Sequence, residues 1–232
     1  MKLQRIVDSF VLFIKGNKVL YKWHLKYKGI NSLLPNVATD LYMAGYARSG
    51  NTFASNLLSI LFPGLNVATH IHTVSAIKLA YANSVPVIVI IRDPAECIPS
   101  GIIKHKPTLF RPDTAMTVIR EYNDYYNYIE KNMSKLVVLE FDSLIEDWRE
   151  GLVDIVSHAT NSKMYTIEEV SSAVNVVTMK MKSDTRPASQ NTWGSQQKEE
   201  LKKQVRARIQ NNPEYICAIN LFNRIKSNID YK

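Results

Sequence analysis

Apolar positions along the chain follow two periods. Leu41, Tyr42, Met43 and Ala44 form a short unbroken apolar run that stops at Gly45. After Asn51 the period changes, and Phe53, Leu57, Leu58 and Leu61 share one helical face. The pattern predicts strand, tight turn and helix between Asp40 and Phe62. A second run, VPVIVIIRD from Val85 to Asp93, is apolar almost throughout and rich in β-branched residues. A parallel strand covered on both faces has that composition. A third, KLVVLEF from Lys135 to Phe141, reads as another buried strand.

Helices are expected from Thr73 to Ala82 and through AECIPSGIIKH, with a bend at Pro99. Another is expected where Tyr122, Tyr125, Tyr126 and Ile129 recur at helical spacing; these read as core, although a tyrosine hydroxyl could reach a ligand. The remainder is helical except for the polar stretch from Ser183 to Gln197. Loops that long in a compact domain are functional or disordered more often than mere connectors. Strands alternating with helices predict a three-layer α/β fold, a central parallel sheet flanked by helices, with the whole chain, 1–232, as one domain.

Residues 1–30 read as an amphipathic basic helix. Ile6, Phe10, Phe13 and Ile14 recur at helical spacing, and Lys18, Lys22, Lys26 and Lys28 follow among Tyr21, Trp23 and Tyr27. The longest apolar run there, Phe10 to Ile14, is too short to span a membrane. Packing on the domain is the commoner role for such a helix, and peripheral contact with an anionic membrane surface is the alternative. The net charge of +8 favours an anionic partner without separating nucleic acid from membrane or from a phosphorylated or sulfated small molecule. Cys97 and Cys217 stand far apart, so neither a disulfide framework nor a structural zinc site is indicated, and a reducing, cytoplasmic setting is expected.

Candidate chemistry begins in the turn GYARSGN. Two glycines, a hydroxyl and Arg48 stand where N–H groups at a helix start lack intrahelical partners, which describes an anion cradle. The turn departs from the phosphate loop of NTPases, because Asn51 follows Gly50 where the lysine would stand, before Thr52. On its own the segment fits a plain βα turn with a surface arginine equally well. Arg92 ends the second strand, at the edge where open α/β sheets bind ligands.

Set side by side, GYARSGNTF and IIRDPAECIPSG resemble the sulfotransferase family, which transfers a sulfuryl group from 3′-phosphoadenosine 5′-phosphosulfate (PAPS) to an acceptor and releases 3′-phosphoadenosine 5′-phosphate (PAP). The family's first loop, PKSGTTW or an RSG form, is matched in register by Arg48, Ser49, Gly50, Asn51, Thr52 and Phe53. Its RDP turn with a serine eight residues after the arginine is matched by Arg92 and Ser100. Thr69 and His70 stand where the family's THLP-like segment carries its catalytic histidine, and Arg186 and Trp193 keep the arginine-to-tryptophan spacing of its C-terminal loop. EFDSL is similar to the family's YEDL, so the motif-bearing core runs from about 40 to 195.

The resemblance implies a P-loop-like fold and transfer to an acceptor hydroxyl or amine. It implies PAPS as co-substrate, no metal, a small-molecule or carbohydrate acceptor, and no nucleic acid. Arg48 and His70 would be catalytic, with His72 as alternative base. Cofactor contacts would come from the first loop through Phe53, from Arg92 and Ser100, and from Arg186 and Trp193. Three departures bear on it: Arg48 replaces the lysine of the cytosolic small-molecule enzymes, Phe53 replaces an adenine-stacking tryptophan, and Pro187 and Ala188 replace Lys and Gly. The RSG form leans towards carbohydrate.

The chemistry asks for these residue types independently. In-line transfer between two oxygens needs a cation where charge develops on the departing phosphate, a base for the acceptor proton, and a second basic and hydroxyl site for the 3′-phosphate. If His70 and His72 both lie on a strand, they face the same side. Glu140 and Asp142 read as structural, and Lys198, Lys202, Lys203, Arg206 and Arg208 read as a solvated helix face. The competing readings are a nucleotide or small-molecule kinase on the same core, and a non-catalytic polyanion- or nucleic-acid-binding protein.

Overall fold

The computed structural model describes residues 17–27, 34–105, 110–183 and 196–229. In chain order these form α1 (Lys18–Tyr27), β1 (Leu41–Gly45), α2 (Asn51–Leu61), β2 (Val67–Ala68), α3 (Val74–Ala82), β3 (Val87–Ile91), α4 (Pro94–His105) and α5 (Pro112–Asn132). They continue with β4 (Val137–Glu140), α6 (Phe141–Glu146), a π-turn (Arg149–Val153), α7 (Asp154–Ala159), α8 (Ile167–Lys182), α9 (Gln196–Ile209) and α10 (Pro213–Ile229). Among the described residues the sheet has four parallel strands in the order β2-β1-β3-β4. Tyr42 pairs with Val87 and Gly45 with Ile90; Ile88 pairs with Val137 and Ile91 with Glu140.

The unbroken apolar runs are explained by burial on both faces. Leu41, Met43, Ile88 and Ile90 point into a core shared with Leu57 and Leu58 of α2 and with Val170 and Val177 of α8. Tyr42, Ala44, Val87, Val89 and Ile91 point the other way, into a core built by α3, α4, α5 and α10. The alternation of strand side chains sends consecutive residues to opposite layers, so each position must be apolar. This is the α/β architecture expected, with the predicted strand, turn and helix at β1 and α2.

From β1 the chain moves to β2 on one side, then returns to β3 on the other. The carboxyl ends of β1 and β3 therefore border a crevice where the connections diverge, the usual ligand position in such sheets. Thr73 caps α3, its hydroxyl accepting from the Ala76 N–H. Tyr21 of α1 is buried, while Trp23 and Tyr27 are exposed. The Ile6-to-Ile14 part of the expected N-terminal helix lies outside the described residues. Among the described residues no helix is long and apolar enough to cross a membrane.

The tyrosines of α5 are core residues whose hydroxyls reach the ends of both central strands. Tyr125 accepts from the Gly45 N–H at 3.0 Å, and Tyr122 donates to the Arg92 carbonyl at 3.2 Å. Tyr126 donates to the Ile90 carbonyl at 3.3 Å; having one proton, it must accept from the Ser49 hydroxyl 3.1 Å away. Tyr46 returns the favour from the turn, donating to the Val118 carbonyl of α5 at 3.0 Å. Burial raises the pKa of each of these phenols, which keeps them protonated as donors. From β1, Tyr42 donates to the Ile71 carbonyl and holds the segment between β2 and α3. Removing one of these hydroxyls takes a hydrogen-bond partner from a buried backbone group. Tyr126→Phe should lower stability in urea unfolding by about 1–3 kcal/mol, whereas Tyr128→Phe, half-exposed on the same helix, should change it little.

Candidate functional site

The turn between β1 and α2 is shaped by two glycines. A Cβ on Gly45 would lie 2.7 Å from the Ile90 carbonyl oxygen of the neighbouring strand. Gly50, the N-cap of α2, sits in the left-handed region at φ 94°, and a Cβ there would overlap the Phe141 ring. Arg48 is also left-handed, at φ 74°, a conformation that costs a non-glycine residue about 1–3 kcal/mol and is found where the surroundings enforce it. The enforcing contacts are visible. Its Nε donates to the Ser100 hydroxyl of α4 at 2.9 Å, and its carbonyl accepts from Arg92 Nη1 at 3.2 Å. The Arg92 guanidinium lies 4.5 Å over the Phe141 ring and 4.0 Å from Glu96.

These groups line one cleft of about 1070 Å³ at the carboxyl edge of the sheet. The turn contributes Arg48, Gly50, Asn51, Thr52 and Phe53; β3 and α4 contribute Arg92 and Ser100; His70 and His72 come from the segment after β2. Ser49 is the exception among the first-loop residues. Its hydroxyl is turned into the core against Tyr126, so its side chain does not line the cleft. Arg186 and Trp193 lie outside the described residues.

The two histidines do not share a strand face. β2 ends at Ala68, and His70 adopts a left-handed φ of 69°, which breaks the alternation expected of extended backbone. Both rings still line the cleft. His72 Nδ1 is 2.7 Å from the Gly45 carbonyl oxygen, which can only accept, so Nδ1 carries the proton and the neutral ring has its lone pair on Nε2. Asn51 braces the same carbonyl, its Nδ2 donating to Gly45 at 3.2 Å and to Tyr46 at 3.3 Å. His70 has its pKa lowered, first by partial desolvation and second by the Lys104 cation, so it is neutral at pH 7.

One end of the cleft is aromatic. Phe53 stacks on Trp148 with centroids 4.8 Å apart and planes 23° apart, and Val174 and Met181 of α8 complete an apolar wall. The other end is cationic. Lys198 and Lys202 of α9 line it and are only 4% and 5% exposed, which corrects their reading as part of a solvated face. Lys203, with its side chain 71% exposed, does belong to that face. The signal was present: Lys198, Lys202, Val205 and Ile209 fall on one side of α9, so the period of its buried face continues back through two lysines. Lys202 is paired with Glu96 and lies 2.9 Å from Glu199. Burial, then the charges of Arg48 and Lys202, push the Lys198 pKa down to about 7.

Glu140 accepts from the Ser143 hydroxyl at 2.8 Å and pairs with Lys226 at 2.9 Å, in keeping with a structural role. Among the described residues no group of three or more His, Cys, Asp or Glu is placed to hold a metal ion. The cleft can therefore take a ligand with a flat apolar part and separate anionic groups.

No family model and no curated protein sequence matches this chain. Among solved structures, it is similar to the crystal structure of mouse sulfotransferase SULT7A1 complexed with PAP, with a TM-score of 0.50 and 12% identity. The match covers 81% of this chain and 91% of that one. At that identity the likeness shows a common fold, the P-loop-like α/β architecture of a sulfotransferase.

The packing at Gly50 has a measurable consequence. Gly50→Ala combines a strained φ with a clash against Phe141, the ring that Arg92 rests on. It should cost about 1–3 kcal/mol in chemical denaturation, with Gly64→Ala, where a Cβ meets nothing within 4 Å, as the mild control.

Proposed function

We propose that the protein is a PAPS-dependent sulfotransferase acting on an acceptor hydroxyl or amine. The observation that carries this reading is the convergence of Arg48, Arg92 and Ser100 at the β1/β3 crevice, with two histidines lining the same cleft. The residues present fit the co-substrate. Gly50 has no side chain to cap α2, so the first-turn N–H groups suit an anion, and the arginines supply charge for two anionic groups. The Phe53–Trp148 pair offers a flat apolar surface for a nucleobase. The fold is shared with a sulfotransferase whose structure contains PAP.

PAPS supplies the sulfuryl group, which passes in line from a phosphate oxygen to the acceptor. Arg48, at the helix entry, stabilises the negative charge that develops on the departing phosphate, an interaction strongest in the transition state. Ser100 accepts from Arg48 Nε, so its own proton can be donated to a phosphate oxygen. Arg92, fixed by the Arg48 carbonyl and the Phe141 ring, holds the 3′-phosphate beside it. His70 takes the acceptor proton as a neutral base. His72 is the second candidate, because its bond to the Gly45 carbonyl leaves Nε2 as the basic nitrogen.

Cofactor identity is tested through the 3′-phosphate. Calorimetry should show PAP binding more than about tenfold tighter than adenosine 5′-phosphate, and Arg92→Ala should erode the difference by weakening PAP alone. Equal affinity of the unmodified protein for the two nucleotides would favour the kinase reading.

Proton transfer has its own signature. Because the His70 pKa is lowered, its neutral form persists below the usual 6.5 and is lost only as pH falls through the lowered value. The acid limb of kcat/KM, measured with radiolabelled PAPS and an acceptor found by transfer, should therefore lie below pH 6.5. His70→Ala should cut kcat by roughly two to four decades and remove that limb, and His72→Ala should be milder. The reverse ranking would assign the base to His72.

A further inference from the structure

One side of α1 is anchored to the domain. Tyr21 is buried in the core that α3 helps to build, and its hydroxyl is hydrogen-bonded to the Thr73 side chain at the start of α3. His24 stacks beside it with ring centroids 6.3 Å apart. The other side carries Val19, Leu20, Trp23 and Tyr27, which are 57%, 41%, 69% and 92% exposed. At 3.6 residues per turn these four positions fall within about 100° of arc, so they make one apolar stripe facing away from Tyr21. A single exposed apolar side chain is ordinary, whereas a stripe of four with two aromatic rings marks a contact surface. Lysine runs alongside. Lys26 is exposed, with its ammonium 5.9 Å from the Trp23 ring centre, and positions 18 and 22, one and two turns earlier in the same row, are lysine as well. Between Asp8 and Asp40 the chain has Lys15, Lys18, Lys22, Lys26 and Lys28 and no acidic residue, so more than half of the net charge of +8 is concentrated around this helix.

We propose that the outer face of α1 docks on an anionic lipid bilayer, with the helix lying in the plane of the interface. Trp23 and Tyr27 suit the headgroup level, where a ring is half in hydrocarbon and its polar edge stays wet. Val19 and Leu20 enter the acyl boundary beside them, and the lysines meet acidic headgroups. Charge complementarity chooses an anionic surface over a neutral one. The aliphatic pair chooses lipid over nucleic acid, because bases could stack on the rings and phosphates could pair with the lysines while Val19 and Leu20 stayed in water. Ten residues with four apolar contacts bind a bilayer only marginally, so the electrostatic part decides the affinity, each lysine near the surface strengthening it by roughly fivefold. The proposal is independent of the chemistry in the cleft.

The test uses the full chain and vesicles of phosphatidylcholine, either alone or with about 30% phosphatidylserine. Co-sedimentation should show binding at least about tenfold tighter to the phosphatidylserine vesicles, and salt at about 0.5 M should release the protein. Trp23→Ala should weaken binding by roughly tenfold and Lys26→Glu by roughly fivefold or more. Lys203→Glu, an equal change of charge on the exposed face of α9, should stay within about twofold of the unmodified protein. Lipids brominated on their acyl chains should quench the tryptophan fluorescence of the bound protein. Trp23→Phe keeps a ring, so it should bind nearly as well and lose that quenching. The three substituted side chains are exposed, and urea unfolding of every variant should match the unmodified protein.

Equal binding to the two kinds of vesicle, or binding that ignores both Trp23→Ala and Lys26→Glu, would overturn the proposal. So would failure to bind phosphatidylserine vesicles, and three further measurements then identify what takes the face instead. Binding of a single-stranded oligonucleotide that depends on Trp23 and Lys26 assigns it to nucleic acid. A dimer in sedimentation equilibrium that Trp23→Ala dissociates assigns it to a second copy of this chain. If Trp23 in the free monomer is shielded from a dissolved quencher such as iodide, the chain covers the face itself.

Discussion

Buried backbone groups at the carboxyl edge of β1 and β3 must find hydrogen-bond partners where water is excluded, and one helix supplies them. Tyr122, Tyr125 and Tyr126 of α5 place three hydroxyls on the Arg92 carbonyl, the Gly45 N–H, and the Ile90 carbonyl together with the Ser49 hydroxyl. An unsatisfied group in such a place costs more than an ordinary hydrogen bond gains, so this geometry is strongly enforced. The ends of both strands are thereby referred to one rigid body. Arg48 and Arg92 inherit their relative position from it, because each sits on backbone that the tyrosines hold.

A second layer of constraint comes from packing. Gly50 lets the Phe141 ring approach the turn, and the ring carries the Arg92 guanidinium on its face. Arg48 is held at its backbone carbonyl by Arg92 and at its guanidinium by Ser100. Cations that would repel one another in the open are thus held by a ring, a hydroxyl and a carbonyl. None of these neutralises charge. Among the described lining residues the carboxylates are Glu96, shared between Arg92 and Lys202, and Glu199, paired with Lys202.

The strands were legible because burial on both faces leaves no polar alternation, and Val87 to Ile91 shows that plainly. The first turn was legible because glycines at 45 and 50 are imposed by close approach, which composition records. Arg92 reaches the same cleft as Arg48, as its place at a strand end suggested, and Ser100 reaches it from α4. Other features depended on long-range contacts that leave little trace. Trp148 meets Phe53 across nearly a hundred residues, and nothing near either one announces the stack. His70 leaves extended backbone through its own φ, which no hydrophobic period encodes. Ser49 belongs to the core because a tyrosine far along the chain needs a donor. The lysines of α9 are readable in principle from the face they share with Val205 and Ile209, yet charge is so commonly solvated that the sequence alone points to surface.

The crowding of Arg48, Arg92 and Lys198 has a bearing on how this protein behaves outside any reaction. Beyond burial, Arg48 and Lys202 disfavour the charged form of Lys198, and dissolved monovalent salt relieves such repulsion poorly, because mobile ions screen exposed charges far better than enclosed ones. A multivalent anion that bound in the cleft would act instead by mass action, adding stability in proportion to the logarithm of its concentration. Heat tolerance would then depend on which anions a buffer contains more than on its ionic strength. A preparation kept in sulfate or phosphate and one kept in chloride would differ in shelf life while being chemically the same molecule.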